Sequence, residues 1–269
     1  MSHTYVTLIA NADYIVGAHA LARSLKMVGA QWPLTALVLD PALAGLDAIE
    51  ALGVKLLAVD PLPLSEGFRS RHSRESQHAA APFTKGNKPV FHDPLHNFVK
   101  LRLWELEQYD SVVFLDADTL VINPIDRLFK YPEFSAAPNL YESLADFHRL
   151  NSGVFAAKPS RRTYEDMLAR LDAPDSFWKR TDQTFLEAYF PDWHGLPYTY
   201  NTLQYVWFNL PQLWDWQRVK VIHYQYEKPW EPSHPKRELL APLIEAWRHV
   251  YEQGELPDVL PQPVAAQKG

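Results

Sequence analysis

Along the first hundred residues, short apolar runs alternate with stretches in which apolar side chains recur every third or fourth position. "TYVTLIA", "LTALVLD" and "VKLLAV" predict strands. "YIVGAHALARSLKMVG" predicts a helix with Ile15, Ala18, Leu21, Leu25 and Val28 on one face, and "LAGLDAIEALG" predicts a second. Strand, helix, strand, helix, strand implies an α/β fold with a parallel sheet and right-handed crossovers. Ligands of such sheets bind beyond the carboxyl ends of the strands, where Asn11, Asp40, Asp60, Asp116 and Asp118 fall.

Residues 61–97 break the rhythm with prolines, polar residues and four histidines, which are expected to be solvated. So long a loop suggests either a lid over the site or a plain insertion. "NFVKLRLWELEQY" then predicts a helix, and "SVVFLDADTLV" a strand buried on both faces. Asn123 before Pro124 is expected to cap a further helix. Helices are also predicted over "SRRTYEDMLARL" and around "TDQTFLEAYF", and a last strand over "VKVIHYQYEKPW". The stretch "KRELLAPLIEAWRHVYEQ" places Leu240, Leu243, Ile244, Trp247, Val250 and Tyr251 at helical spacing. The expected organisation is a main domain over 1–235, an amphipathic helix packed on it over 236–255, and a flexible tail over 256–269.

Composition narrows the chemistry. The 269 residues fit one large domain, and the net charge of −6, with acids and bases interspersed, argues against nucleic acid as a partner. There is no Cys, so thiolate metal sites and cysteine nucleophiles are excluded, and any metal must be held by oxygen and imidazole. No window is apolar for the roughly 18 residues a membrane span needs. A soluble cytoplasmic protein is expected, with a homodimer left open.

Asp116-Ala117-Asp118 ends an apolar strand, so the two carboxylates leave the same side of an extended chain and converge. Two anions so placed call for a hard divalent cation such as Mg²⁺ or Mn²⁺. Two reaction classes use the arrangement. A haloacid dehalogenase-like phosphatase would take Asp116 as nucleophile and Asp118 as acid. A nucleotide-sugar transferase would use both to hold a cation against the donor diphosphate, and a catalytically inactive sugar-nucleotide or glycan-binding protein is the non-enzymatic alternative.

The sequence "FVKLRLWELEQYDSVVFLDADTLVINPIDRLF" is followed by "SAAPN", "LNSGVFAAKPS", "TDQTFL", "LPYTYN" and "VIHYQYEKPW". In these motifs and their order the chain resembles glycosyltransferase family 8, the glycogenin-like retaining transferases, over roughly residues 4–231. The resemblance implies the GT-A fold, a Rossmann-like, mostly parallel sheet flanked by helices. It also implies transfer of a hexose from a UDP-sugar to the hydroxyl of an unidentified carbohydrate or small-molecule acceptor. Mn²⁺ is the implied cofactor, with Mg²⁺ the second choice.

Residue by residue, the resemblance gives Asp116, Asp118 and His223 as metal ligands and Lys228 as the contact to the diphosphate. It gives Leu8, Asn11, Tyr14 and the Ala117 backbone as neighbours of uracil and ribose, with Lys100 near the donor. Asn139, Asn151, Ser152, Asn201, Asp182 and Gln183 fall around the sugar, the last two being catalytic candidates together with Lys228. Asp182 could instead open an exposed helix capped by Thr181. The chain departs from the family at Lys179 and Arg180, where small and acidic residues are usual before the Asp-Gln pair.

Overall fold

The computed structural model describes residues 2–80, 86 and 88–263. The N-terminal alternation becomes β1 (His3–Ile9), α1 (Ile15–Met27), β2 (Leu34–Val38), α2 (Leu46–Glu50) and β3 (Lys55–Ala58). Then come α3 (Glu66–Arg71), α4 (Arg74–Ala80), α5 (Pro94–Asn97), β4 (Ser111–Leu115), β5 (Thr119–Val121), β6 (Ser135–Pro138) and β7 (Leu150–Ala157). The rest supplies α6 (Arg161–Leu171), α7 (Asp182–Tyr189), β8 (His194–Gly195), β9 (Thr202–Leu203), α8 (Val206–Asn209), β10 (Val221–His223) and α9 (Ala241–Gln253).

The main sheet runs β3-β2-β1-β4-β7-β6-β8. Strands β1 to β4 are mutually parallel, as strand–helix–strand units require, whereas β7 lies antiparallel to both β4 and β6. A smaller sheet, β5-β10-β9, pairs β10 antiparallel with β5. β4 is buried on both faces because each face meets a different apolar layer. Val113 and Leu115 join Ala18, Leu21 and Leu25 of α1, while Val112 and Phe114 join Trp104, Phe155 and Met167. Each buried Val, Leu, Phe or Met among them stabilises the fold by roughly 1.5–3 kcal/mol. α1 also meets α9 through Ala20, Leu243, Ala246 and Trp247. At Gly17 the helix comes so near the strand end that a Cβ would stand 2.4 Å from the Ala117 carbonyl oxygen.

Several expectations need correction. Asn123 caps no helix. Its amide donates to the carbonyls of Trp216 at 2.9 Å and Val219 at 2.6 Å, and only a 3-10 turn follows, over Asp126–Lys130. Those carbonyls belong to a distant loop and compete successfully for the side chain. "FVKLRLWE" is likewise a 3-10 segment, buried on nearly every side. Of the loop histidines, His72 and His92 are buried rather than solvated. Residues 61–80 fold as short helices, with Ser65 accepting from the Phe68 N–H as cap. Beyond α9, Leu256 and Leu260 pack on the core and Trp216 Nε1 donates to the Pro261 carbonyl, so the stretch read as tail is held at least that far. No helix among the described residues is long and apolar enough to cross a membrane.

Candidate active site

Strand register brings the site together. Leu115, the last residue of β4, pairs with Val154 of β7, and the Asp116 N–H then donates to the Gly153 carbonyl at 2.8 Å. The chain turns sharply, with the Thr119 N–H and hydroxyl both donating to the Asp116 carbonyl, and enters β5. There Thr119 pairs with His223 of β10, which sets His223 beside Asp118. His223 Nε2 lies 3.2 Å from Asp118 Oδ1 and 3.9 Å from Asp116 Oδ2. One ligand atom from each of the three residues falls within 4.8 Å of the others.

A chain of amides orients the imidazole. Asn151 Nδ2 donates to Asn139 Oδ1 at 3.0 Å, and Asn201 Nδ2 donates to Asn151 Oδ1 at 2.8 Å. With both amides so fixed, Asn201 Oδ1, 2.9 Å from His223 Nδ1, must accept its proton. Nε2 is thereby left to face the two carboxylates, where a bound cation would take its lone pair, the outer-shell pattern of metal-binding histidines. Gly153 makes room: a Cβ there would lie 2.2 Å from His223 Cε1 and 2.5 Å from Nδ1. The donor set of two carboxylates and one imidazole fits a hard divalent ion.

Buried charges surround this point. Lys228 Nζ pairs with Asp118 Oδ2 and donates to the Tyr224 carbonyl at 3.0 Å. Lys100 Nζ sits 3.1 Å from Asp116 Oδ1 and 2.9 Å from Asp182 Oδ2. Burial works to raise the Asp118 pKa, but Lys228 and His223 outweigh it and hold that carboxyl well below the usual range. Asp116 moves up, chiefly through burial, with Lys100 opposing. The ammonium of Lys88 is lowered to about 8 by burial and by the neighbouring Lys228. Burial also holds His92 well below its ordinary value, helped by Lys88 and Lys228.

These groups line a cavity of about 440 Å³, within the usual range for small-molecule sites. Leu8, Tyr14, Lys100, Ala117, Asn139, Asn151, Ser152, Asp182, Gln183 and Lys228 line it together with Asp116, Asp118 and His223. Asn11 and Asn201 stand behind its surface. Asn11 donates to the Phe91 carbonyl at 3.0 Å and accepts from the Asp13 N–H, while Asn201 belongs to the amide chain. Thr181 precedes α7 without capping it, its hydroxyl donating instead to Asp182 Oδ1 at 2.9 Å. Sequence reasoning missed Gln77, Lys88, His92, Tyr141, Gln225 and Tyr226, which share the lining. Most of them sit in segments without apolar periodicity, so only tertiary contact reveals them.

The family model for glycosyl transferase family 8 matches residues 5–233. The chain belongs to glycosyltransferase family 8. Similar family proteins include the putative UDP-glucuronate:xylan alpha-glucuronosyltransferase 5 of Arabidopsis thaliana, 32% identical over 84% of this chain and 36% of that one. Galactinol synthase 6 of the same plant is 28% identical over 95% of this chain and 82% of its own length. The chain thus spans about a third of the length of the glucuronosyltransferases and most of the galactinol synthase. Among solved structures, the galactosyltransferase LgtC, in complex with donor and acceptor sugar analogs, matches with a TM-score of 0.63. It shares 16% identity over 95% of this chain and 98% of that one. GlyE of Streptococcus pneumoniae gives 0.62 at 16% identity, over 94% of this chain and 63% of its own. The fold is GT-A, unlike that expected of a haloacid dehalogenase-like phosphatase, and the family to which the chain belongs is one of glycosyltransferases.

Proposed function

We propose that this transferase moves a neutral hexose from a UDP-sugar to an acceptor hydroxyl with retention of configuration, using Mn²⁺ held by Asp116, Asp118 and His223. The observation that carries the reading is the convergence of those three residues with Lys228 at the carboxyl ends of the strands. When bound there, the ion would supply positive charge to the donor diphosphate and so stabilise the leaving UDP. Lys228 and Lys88 would share that task as ammonium groups in a cavity largely screened from water. Leu8 and Tyr14 would flank the nucleoside. Asn139 and Ser152 would contact the sugar, while Asn151 and Asn201 would hold His223 in its metal-binding orientation.

At the anomeric carbon, the bond to the diphosphate oxygen breaks and its electron pair leaves with UDP. The acceptor oxygen forms the new bond on the same face, and its proton passes to the departing phosphate. Asp182, nearly buried and 2.9 Å from Lys100, would stabilise the positive charge developing on the sugar, and Gln183 would orient it. The relatives' names carry both UDP-glucuronate and galactinol. A neutral sugar suits this cavity better, because around Asp182 the described lining offers amides and a Lys100 already shared by two aspartates, while Lys88 stands beside Lys228 for the diphosphate.

The test is to incubate the protein with a panel of UDP-sugars in Mn²⁺, Mg²⁺ or EDTA, following UDP release and thermal stability. Mn²⁺-dependent release from one neutral donor is expected. No release, together with no Mn²⁺-dependent stabilisation by UDP, would sink the reading.

A further inference from the structure

Charges at the cavity floor have partners. Lys100 is shared by Asp116 and Asp182, and Lys228 is held by Asp118. On the rim, Asp93 faces His96 at 3.8 Å and Asp146 faces Arg149 at 3.6 Å. Lys179 and Arg180 line the same cavity, are exposed, and have no carboxylate partner among the described residues. Two adjacent cations without partners, at one entrance of a protein whose net charge is −6, leave a strong local positive field.

Their position is fixed. Thr181, next in the chain, takes φ 52, a left-handed conformation that is strained for a β-branched residue. It is held there by Asn97 Nδ2, which donates to its hydroxyl at 3.0 Å, and by its own N–H, which donates to the Trp178 carbonyl at 2.9 Å. Independently, Gln183 is 7% exposed, and its amide nitrogen has no hydrogen-bond partner although the residue lines the cavity. A buried donor without a partner is costly unless a ligand oxygen meets it.

Resting on the transferase reading above, we infer that the acceptor is an anionic carbohydrate or small metabolite. Its carboxylate or phosphate is seated at Lys179 and Arg180, and one of its oxygens takes the free Gln183 N–H. The charge belongs to the acceptor because the mouth is reached last, after the donor has filled the floor. A carboxylate on the donor sugar would lie beside Asp182, with Lys100 already committed to two aspartates. Lys88, a further lining lysine without a carboxylate partner among the described residues, stands near Lys228 and serves the diphosphate.

The test uses the full chain with Mn²⁺ and the neutral donor it hydrolyses, offering matched probes: methyl glucuronide against methyl glucoside, and glucose 6-phosphate against glucose. The acidic member of at least one pair is expected to show roughly tenfold higher kcat/KM, carried by KM, or correspondingly tighter inhibition of donor hydrolysis. That preference should shrink in about 0.5 M salt, and in Lys179→Gln/Arg180→Gln it should fall to about one. Equal or better use of the neutral members, or no response to any acidic probe, overturns the inference. So does a preference for UDP-glucuronate over UDP-glucose that the double variant abolishes, since the charge would then lie on the donor. If no UDP-sugar is turned over at all, it is the transferase reading that fails.

Discussion

Asp116, Asp118 and His223 form the cavity floor at the ends of β4 and β10, where main-chain pairing fixes each position and buried partners satisfy each charge. The facing wall, drawn from the described residues of 66–80 and 88–97, brings Gln77, Lys88 and His92 to the same cavity, and those residues add no strand to either sheet. Side chains reaching for main-chain groups hold it. Arg71 Nε donates to the Ser176 carbonyl at 3.0 Å, and Gln77 Nε2 donates to the Trp178 carbonyl at 3.0 Å. The Trp178 N–H in turn donates to His72 Nε2 at 2.8 Å. Each such bond stabilises by about 1 kcal/mol. The floor therefore cannot change without loss of both stability and chemistry, whereas the wall can loosen one bond at a time, like other low-stability segments.

The largest effect should come from Asp118→Asn. It removes a metal ligand and leaves Lys228 buried without its anion. Turnover is expected to fall by at least about 10³-fold, the scale of losing a key electrostatic group. Stability should fall by about 3 kcal/mol or more, as when one partner of a buried pair is removed. Asp118→Asn/Lys228→Met should regain most of the melting temperature and none of the activity. If the single variant melts like the parent, the floor is not held by paired charge and the contrast with the wall disappears.

Gly153→Ala probes the floor through packing alone. Its methyl group would meet the His223 ring at 2.2 Å and Asn151 Oδ1 at 3.0 Å, so the imidazole must swing away from the aspartates. About 10²-fold less activity is expected, with about 1–3 kcal/mol lost to overpacking. Normal Mn²⁺ binding by isothermal titration in this variant would show that His223 is not a ligand.

The same division governs what could be read from the sequence. β1, α1, β2 and β4 announce themselves because their periodicities are local, and Asp116 and Asp118 because an apolar strand ends in them. His223 and Lys228 lie more than a hundred residues away, and only the family resemblance joined them to the aspartates. Gly153 was visible in "NSGVFAA", yet its role depends on a ring brought in by another sheet. Asn123 misled because a local cap signal lost to the carbonyls of Trp216 and Val219. Lys88 and His92 were illegible for the reason that makes the wall fragile: nothing periodic marks a segment held by scattered side-chain bonds.

The smallest effect, and the one that isolates the wall, concerns His72. The ring is buried against Phe68, and its Nδ1 lies 3.0 Å from the Phe68 carbonyl. Donating there leaves Nε2 to accept from the Trp178 N–H, so the folded state holds the neutral ring. Burial lowers its pKa below the ordinary 6.5, with Arg71 adding to the shift and the Phe68 carbonyl and Asp172 opposing it. In the unfolded chain the ring takes up a proton near its ordinary value. Below that pH the unfolded state binds more protons than the folded state, so this contribution to stability is full above the ordinary value and is lost as pH falls from there through the lowered pKa of the folded ring. Other histidines share that direction, so the measurement is a difference: melting temperature against pH for the parent and for His72→Gln, whose amide oxygen can still accept from Trp178. The variant should lose less stability on acidification than the parent. Parallel curves would mean that the folded state does not hold His72 as the neutral ring that accepts from the Trp178 N–H.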